Sequence, residues 1–238
     1  MTPQRNADLA RLHVLVPLRS LSGGKARLGG AIDAEERETL LRGLLRQTIS
    51  ILHDWYPSAT VHLVSADPGV LVEVTAGGTR GPQRSTIRPI LQLGEGLNEA
   101  LTLARDDALA SGATATLILP ADLPYLSVGA LQRMLDAADA AIAAGSGRPI
   151  VVISPADARR GTNALLLSPP DVIEPCFGPA SLEAHLRAAA SVDASTQVVE
   201  DAELGFDLDT PDDLERLEPA LMEALTRLGQ DAVGAASQ

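Results

Sequence analysis

The sequence predicts a single three-layer α/β/α domain built on a mostly parallel sheet. Short apolar, β-rich runs alternate with amphipathic segments of roughly 10–20 residues, the pattern of strands linked by crossover helices. The chain is 238 residues long and 45% hydrophobic, enough for one sizeable core rather than two independent ones. In a sheet of this kind ligands sit beyond the carboxyl ends of the strands, so strand-end residues are where chemistry is sought.

Leu12–Leu18 reads as the first strand, followed by a loop carrying Ser20, Ser22, Gly23 and Gly24. Leu40, Leu41, Leu44, Leu45, Ile49 and Leu52 recur at three- and four-residue spacings and predict a helix over Ala34–His53. Further strands are expected at Thr60–Ser65, Thr86–Leu91, Thr116–Pro120, Pro149–Ser154 and Asn163–Leu167. Helices are expected at Leu97–Ser111, Val128–Ala144, Ala180–Ala189 and Pro211–Leu228. Residues 1–228 therefore form the domain, and the small, polar stretch from Gly229 to Gln238 reads as a fraying tail.

Composition narrows the function. A net charge of −12 argues against a nucleic-acid partner. No apolar run approaches the roughly 20 residues of a membrane helix, and the first ten residues hold an acid and no apolar segment. With a single cysteine, Cys176, the expectation is a reducing, cytoplasmic setting. Residues 1–46 hold eight basic and five acidic side chains, whereas residues 47–238 hold eleven and twenty-six. An anionic substrate would be drawn to the first part and a cation to the rest. Eighteen of the nineteen basic residues are arginine, and Lys25 is the only lysine. A compact ammonium on a flexible stem, kept in a glycine-containing loop, suits phosphate better than a planar guanidinium does.

Three strand ends carry candidate chemistry. The loop after the first strand offers Arg19, Lys25 and Arg27 to a polyphosphate, with glycines that let backbone N–H groups approach an anion. It matches neither a Walker A loop nor a G-x-G-x-x-G. Asp122 ends the apolar run Leu117-Ile118-Leu119-Pro120, as a ligand or as a turn-capping side chain. Asp207 and Asp209 are two apart, so an extended segment puts both carboxylates on one face, a donor set for a hard divalent cation. Thr210, Pro211 and Asp213 read instead as the start of a helix. Histidine is scarce and has no zinc or triad spacing, which disfavours zinc and Ser-His-Asp hydrolysis and leaves phosphoryl-type transfer.

These residues resemble the guanylyltransferases of coenzyme F420 biosynthesis, the 2-phospho-L-lactate and phosphoenolpyruvate guanylyltransferases. The resemblance spans about Val14 to Leu217. It is carried by Lys25-Ala26-Arg27-Leu28, Glu36-Arg37, Gly96-Leu97-Asn98-Glu99-Ala100, Asp122-Leu123-Pro124 and Gly161-Thr162-Asn163. Phe177-Gly178-Pro179-Ala180-Ser181 with His185, and Asp207-Leu208-Asp209-Thr210-Pro211, complete the set. It implies a nucleotide-diphospho-sugar-transferase-like, Rossmann-like fold, GTP as donor and two Mg²⁺ ions. It further implies that Asp122, Asp207 and Asp209 hold metal, and that Thr162, Gly178 and Ser181 hold the acceptor acid. Arg19, Lys25, Gly96 and Asn98 would bind the nucleotide, with Lys25, Arg27 and Asp122 serving the transfer. Arg19 stands where the family often has Lys, and Ala26 where Thr is frequent.

On this reading a small phosphorylated three-carbon acid attacks GTP and pyrophosphate leaves. Which acid is accepted stays open, as does a homodimer. Two other readings remain: a metal-dependent glycosyltransferase or sugar-type nucleotidyltransferase, because Asp207-Leu208-Asp209 imitates a D-x-D motif, and a non-catalytic GTP-sensing module.

Overall fold

A computed structural model describes residues 7–18, 20–21, 24–76, 85–94, 96–145, 147–156 and 161–236. The chain enters the sheet at β1 (Leu12–Leu18) and crosses through α1 (Ala34–Trp55) to β2 (Thr60–Ser65). α2 (Pro68–Ala76) leads to β3 (Thr86–Leu91), and α3 (Leu97–Ala110) to β4 (Ala115–Ile118). After α4 (Val128–Ala143) come β5 (Ile150–Pro155), β6 (Thr162–Ser168), α5 (Ser181–Ser191) and β7 (Ser195–Val198). The short α6 (Ala202–Gly205) and α7 (Pro211–Glu215) precede the long α8 (Pro219–Ala236).

The seven strands lie in the order β3-β2-β1-β4-β6-β5-β7. All pairings are parallel except those of β6, which runs antiparallel to β4 and β5. That one reversal matters for function. The carboxyl ends of the parallel strands lie at one edge of the sheet, and the reversed β6 brings its first residues, Thr162 and Asn163, to that same edge.

Strand side chains alternate between two apolar layers, as the two-residue period demands. Val14, Val16, Leu117, Val152 and Leu166 join the core beneath α1, α4 and α8. Leu15, Ile118, Val151, Ile153 and Leu165 join the core beneath α3 and α5. The three-layer architecture is thus as the sequence predicts, and β1, β2 and β3 match their expected bounds residue for residue.

Five elements depart from the sequence reading, among them the four-residue α6, too short to show a helical period. The helix expected over Pro211–Leu228 is broken, because Pro219 cannot donate to the preceding turn and biases Glu218 away from helical geometry. The tail expected from Gly229 is instead the end of α8. A Cβ at Gly229 would lie 2.0 Å from the Thr39 carbonyl oxygen, and one at Gly43 2.0 Å from that of Leu225. These two glycines let α8 and α1 cross in backbone contact. α2 was missed because Val70, Leu71, Val72 and Val74 leave it no polar period. β7 was missed because it is a short, half-exposed edge strand rich in polar residues.

Candidate active site

A cleft of about 1370 Å³ opens beyond the strand ends, lined by Lys25, Asp122, Thr162, Gly178, Ser181 and Asp209, among others. Typical small-molecule pockets run to about 300–1,000 Å³, so this one has room for two substrates. Arg27, Gly96 and Asp207 also line it, so most of the residues singled out in the sequence converge here. Arg19, Ser22 and Gly23 lie outside the described residues.

Lys25 adopts the left-handed conformation (φ 50°, ψ 44°) as it opens a short turn over Ala26–Gly30. A non-glycine residue held there stores strain, which the surroundings must over-determine. They do so through its ammonium, which donates to Asp122 Oδ2 and to Asp209 Oδ1. Burial alone would lower the Lys25 pKa, but the two carboxylates outweigh it and hold it above the ordinary lysine range. Gly24 is required by packing rather than by ligand access. A Cβ there would come within 2.4 Å of the Ser20 carbonyl oxygen and 2.9 Å of Leu41.

The Leu208 N–H donates to the Asp122 carbonyl oxygen at 3.0 Å, which lays the segment around Asp207 and Asp209 beside the end of β4. The start of α7 is capped by Thr210 and Asp213. Asp213 Oδ2 accepts from the Asp209 and Thr210 N–H groups at 3.0 and 2.8 Å. The cap is thus made without the Asp209 carboxylate, which turns to Lys25.

Among the described residues no three acidic, histidine or cysteine side chains gather as a metal site. Asp207 is therefore not drawn into one set with Asp122 and Asp209. The chemistry of the pair nonetheless fits a hard divalent ion. Two carboxylates already share a cation, and the buried Asp122 Oδ1 has no hydrogen-bond partner.

Opposite this pair lies a second cluster. Thr162 Oγ1 is 3.0 Å from His185 Nδ1, and the Cys176 N–H donates to His185 Nε2 at 2.9 Å. Since Nε2 accepts, the neutral imidazole carries its proton on Nδ1 and donates to Thr162. Burial pushes the His185 pKa down to about 4, so the ring is neutral at pH 7. Asn163 donates to the Leu204 and Gly205 carbonyls at 2.8 and 3.0 Å, anchoring the segment that leads to Asp207.

Asn98 does not line the cleft. Its amide donates to the Phe177 carbonyl at 3.0 Å and accepts from the Phe177 N–H at 2.8 Å. It clamps the loop before α5 onto the start of α3.

The helix starts that face the cleft share a property. Gly96 before α3 and Ala180 before α5 provide no side-chain cap. Elsewhere Asp33, Ser127, Asp201 and Thr210 cap α1, α4, α6 and α7. Positive helix ends without a side-chain cap, directed at one cleft, suit an anion. Lys25 and Arg27 add charge on the facing side.

The profile of the guanylyl transferase CofC-like family matches residues 12–219. The chain belongs to this family. It is 42% identical over 204 residues to the phosphoenolpyruvate guanylyltransferase of Rubrobacter xylanophilus, covering 86% of this chain and 92% of that one. A protein of the same name from Sphaerobacter thermophilus is 39% identical, covering 85% and 90%. A 3-phospho-D-glycerate guanylyltransferase from Colwellia psychrerythraea is 28% identical, covering 87% and 91%. Among solved structures, a nucleotide-diphospho-sugar transferase from Desulfovibrio desulfuricans G20 superposes with a TM-score of 0.69 at 17% identity, covering 94% of this chain and 97% of that one. A 4-diphosphocytidyl-2C-methyl-D-erythritol synthase gives 0.56 at 16%, covering 90% and 98%. These two establish the nucleotidyltransferase fold.

Proposed function

We propose that this guanylyl transferase joins GTP to phosphoenolpyruvate, or to a closely related phosphorylated three-carbon acid, as a cytoplasmic step of coenzyme F420 biosynthesis. The observation that carries the reading is the pairing in one cleft of a Lys25–Asp122–Asp209 cluster with the uncapped start of α5 beside Thr162 and Ser181. The first suits a triphosphate, the second a small acid. Phosphoenolpyruvate is placed first because the 42% and 39% identical relatives bear that name.

A phosphate oxygen of the acid attacks the α-phosphorus of GTP, the bond to the β-phosphate oxygen breaks, and pyrophosphate leaves. The nucleophile is already anionic at pH 7, so no general base is needed. The barrier lies in bringing two polyanions together, since like unit charges ~4 Å apart repel by about 4 kcal/mol at an effective dielectric near 20. Lys25 and Arg27 take up charge on the departing pyrophosphate. Thr162, Ser181 and the backbone around Gly178 seat the acid, and Gly96 lets the start of α3 approach the nucleotide. Asp122 and Asp209, with Asp207 nearby, would hold Mg²⁺, up to two ions, which neutralise phosphate charge when bound.

The test incubates the protein with GTP, Mg²⁺ and, separately, phosphoenolpyruvate, 2-phospho-L-lactate or 3-phospho-D-glycerate, and measures pyrophosphate and the mass of the conjugate. The expected result is a conjugate in which a diphosphate, one phosphate from GTP and one from phosphoenolpyruvate, joins guanosine to enolpyruvate. Pyrophosphate release with none of the acids would sink the proposal.

A further inference from the structure

We propose that His185 is a positioning residue of the acceptor subsite, locking the Thr162 hydroxyl as a hydrogen-bond donor to an oxyanion of the phospho-acid. This rests on the guanylyl-transfer reading above and deepens it.

The case begins with what the ring joins. His185 is fully buried in α5, four residues after Ser181 and so on the same face of the helix. Its Nδ1 meets Thr162 at the start of β6, and its Nε2 meets the Cys176 N–H in the loop that leads to Gly178. One imidazole therefore ties together the strand, the loop and the helix that supply Thr162, Gly178 and Ser181. Its edge also packs on Phe177, with ring centroids 5.0 Å apart. An apolar side chain could fill the same volume without the cost of burying two ring nitrogens.

Polarity then follows from the donors. The Cys176 N–H can only donate, so Nε2 accepts and Nδ1–H is committed to Thr162 Oγ1. The Thr162 hydroxyl, having accepted from the imidazole, keeps its own proton for another acceptor. Thr162 lines the cleft, where a carboxylate or phosphate oxygen provides one. Without His185 the hydroxyl could rotate to donate toward α5, and the donor would be lost to the substrate.

The two ring nitrogens can be separated by substitution. In His185→Asn the amide N–H falls near the place of Nδ1 and still donates to Thr162. In His185→Gln the amide falls near the place of Nε2 and serves Cys176 instead. His185→Leu removes both. With phosphoenolpyruvate and GTP, His185→Leu and His185→Gln are expected to raise the KM for the acid by about 10- to 100-fold, the range for a hydrogen bond to a charged group. His185→Asn should recover most of that loss, and the KM for GTP should stay within about twofold in all three. Thr162→Val combined with His185→Leu should be no worse than Thr162→Val alone. Equal acid KM values for the Asn and Leu variants, or a GTP KM that rises with the acid KM, would overturn the proposal and leave His185 a packing residue. Titrating the same proteins with phosphoenolpyruvate in a calorimeter separates the two readings. Acid binding without turnover overturns guanylyl transfer, while an acid Kd indifferent to His185→Leu overturns the positioning role. Absence of binding to the wild-type protein overturns both.

Discussion

Lys25 and Asp209 stand 184 positions apart in the chain, yet the Lys25 ammonium donates directly to the Asp209 carboxylate. The same ammonium donates to Asp122, so the first loop, the end of β4 and the segment before α7 are held by one cation. The lone lysine was expected to serve phosphate rather than an internal ion pair. In the structure it makes the ion pair, lying between two carboxylates that suit a divalent ion.

Lys25→Ala should therefore lower stability as well as rate. Removing one partner of a mostly buried pair leaves two carboxylates without a counter-ion, at roughly 1–3 kcal/mol given their partial exposure. The loss in rate should be larger, roughly 30- to 1,000-fold, if the ammonium meets departing pyrophosphate. A metal readout isolates the cation argument: Mg²⁺ or Mn²⁺ without nucleotide should raise the Tm of Lys25→Ala more than that of the wild type. Equal metal-induced rises would show that Lys25 and metal do not compete.

Asp209→Asn and Asp213→Asn should separate chemistry from capping. Asp213 is buried and accepts from the Asp209 and Thr210 N–H groups, so its loss should cost about 1–2 kcal/mol in urea unfolding and disturb activity only indirectly. Asp209→Asn, like Asp122→Asn, leaves Lys25 one of its two carboxylates, so each should lose only about 1 kcal/mol of stability and most of kcat. A destabilised Asp209→Asn with near-normal turnover would return that carboxylate to the helix start.

The layers, the strand-end positions of Lys25 and Asp122 and the Thr210–Asp213 cap were legible in the sequence, because each depends on neighbours a few residues away; Asp207 and Asp209, expected at a strand end, follow the short α6 instead. The Asn98 clamp was not legible, because an amide can serve a nucleotide or a backbone equally well and Phe177 lies 79 positions on. His185 stood in a recognised motif, but its role depends on Thr162 and Cys176, which no spacing rule connects to it. Gly229 reads as the start of a fraying tail, and nothing near Gly43 marks that position. Their meaning lies in each other's helix.

Asn98→Ala decides between the two uses of that amide. If it clamps Phe177, the KM for the acid should rise several-fold while the KM for GTP holds. A selective rise in the GTP KM would assign the amide to nucleotide binding.

Gly43→Ala tests the helix crossing by sign. In an isolated helix Ala is better than Gly by about 1 kcal/mol. Here its Cβ would sit 2.0 Å from the Leu225 carbonyl, so α8 must move away. The expectation is a net loss of about 1–3 kcal/mol in chemical denaturation. A more stable Gly43→Ala would mean that the two helices do not touch at this point.

The last prediction concerns acid. His13 lies 2.8 Å from His62, and His62 lies 2.9 Å from Asp107, which also accepts from Arg88. Because Asp107 takes the proton of Nδ1, His62 Nε2 accepts from His13 Nδ1–H, and both rings are neutral. Burial, reinforced by the repulsion a second charged ring at His13 would exert and opposed by Asp107, pushes His62 down to about 4, against an ordinary value of 6.5. His185 is pushed to about 4 by burial alone. For such a base the unfolded chain takes up protons before the folded one does. The stability is therefore complete above pH 6.5 and is lost as pH falls from there toward 4. At pH 5 each ring would cost on the order of 1–2 kcal/mol. Tm should thus drop between pH 7 and pH 5, and His62→Gln, which cannot titrate, should show a smaller drop even if it starts lower. An equal drop in that variant would assign the acid sensitivity to other groups.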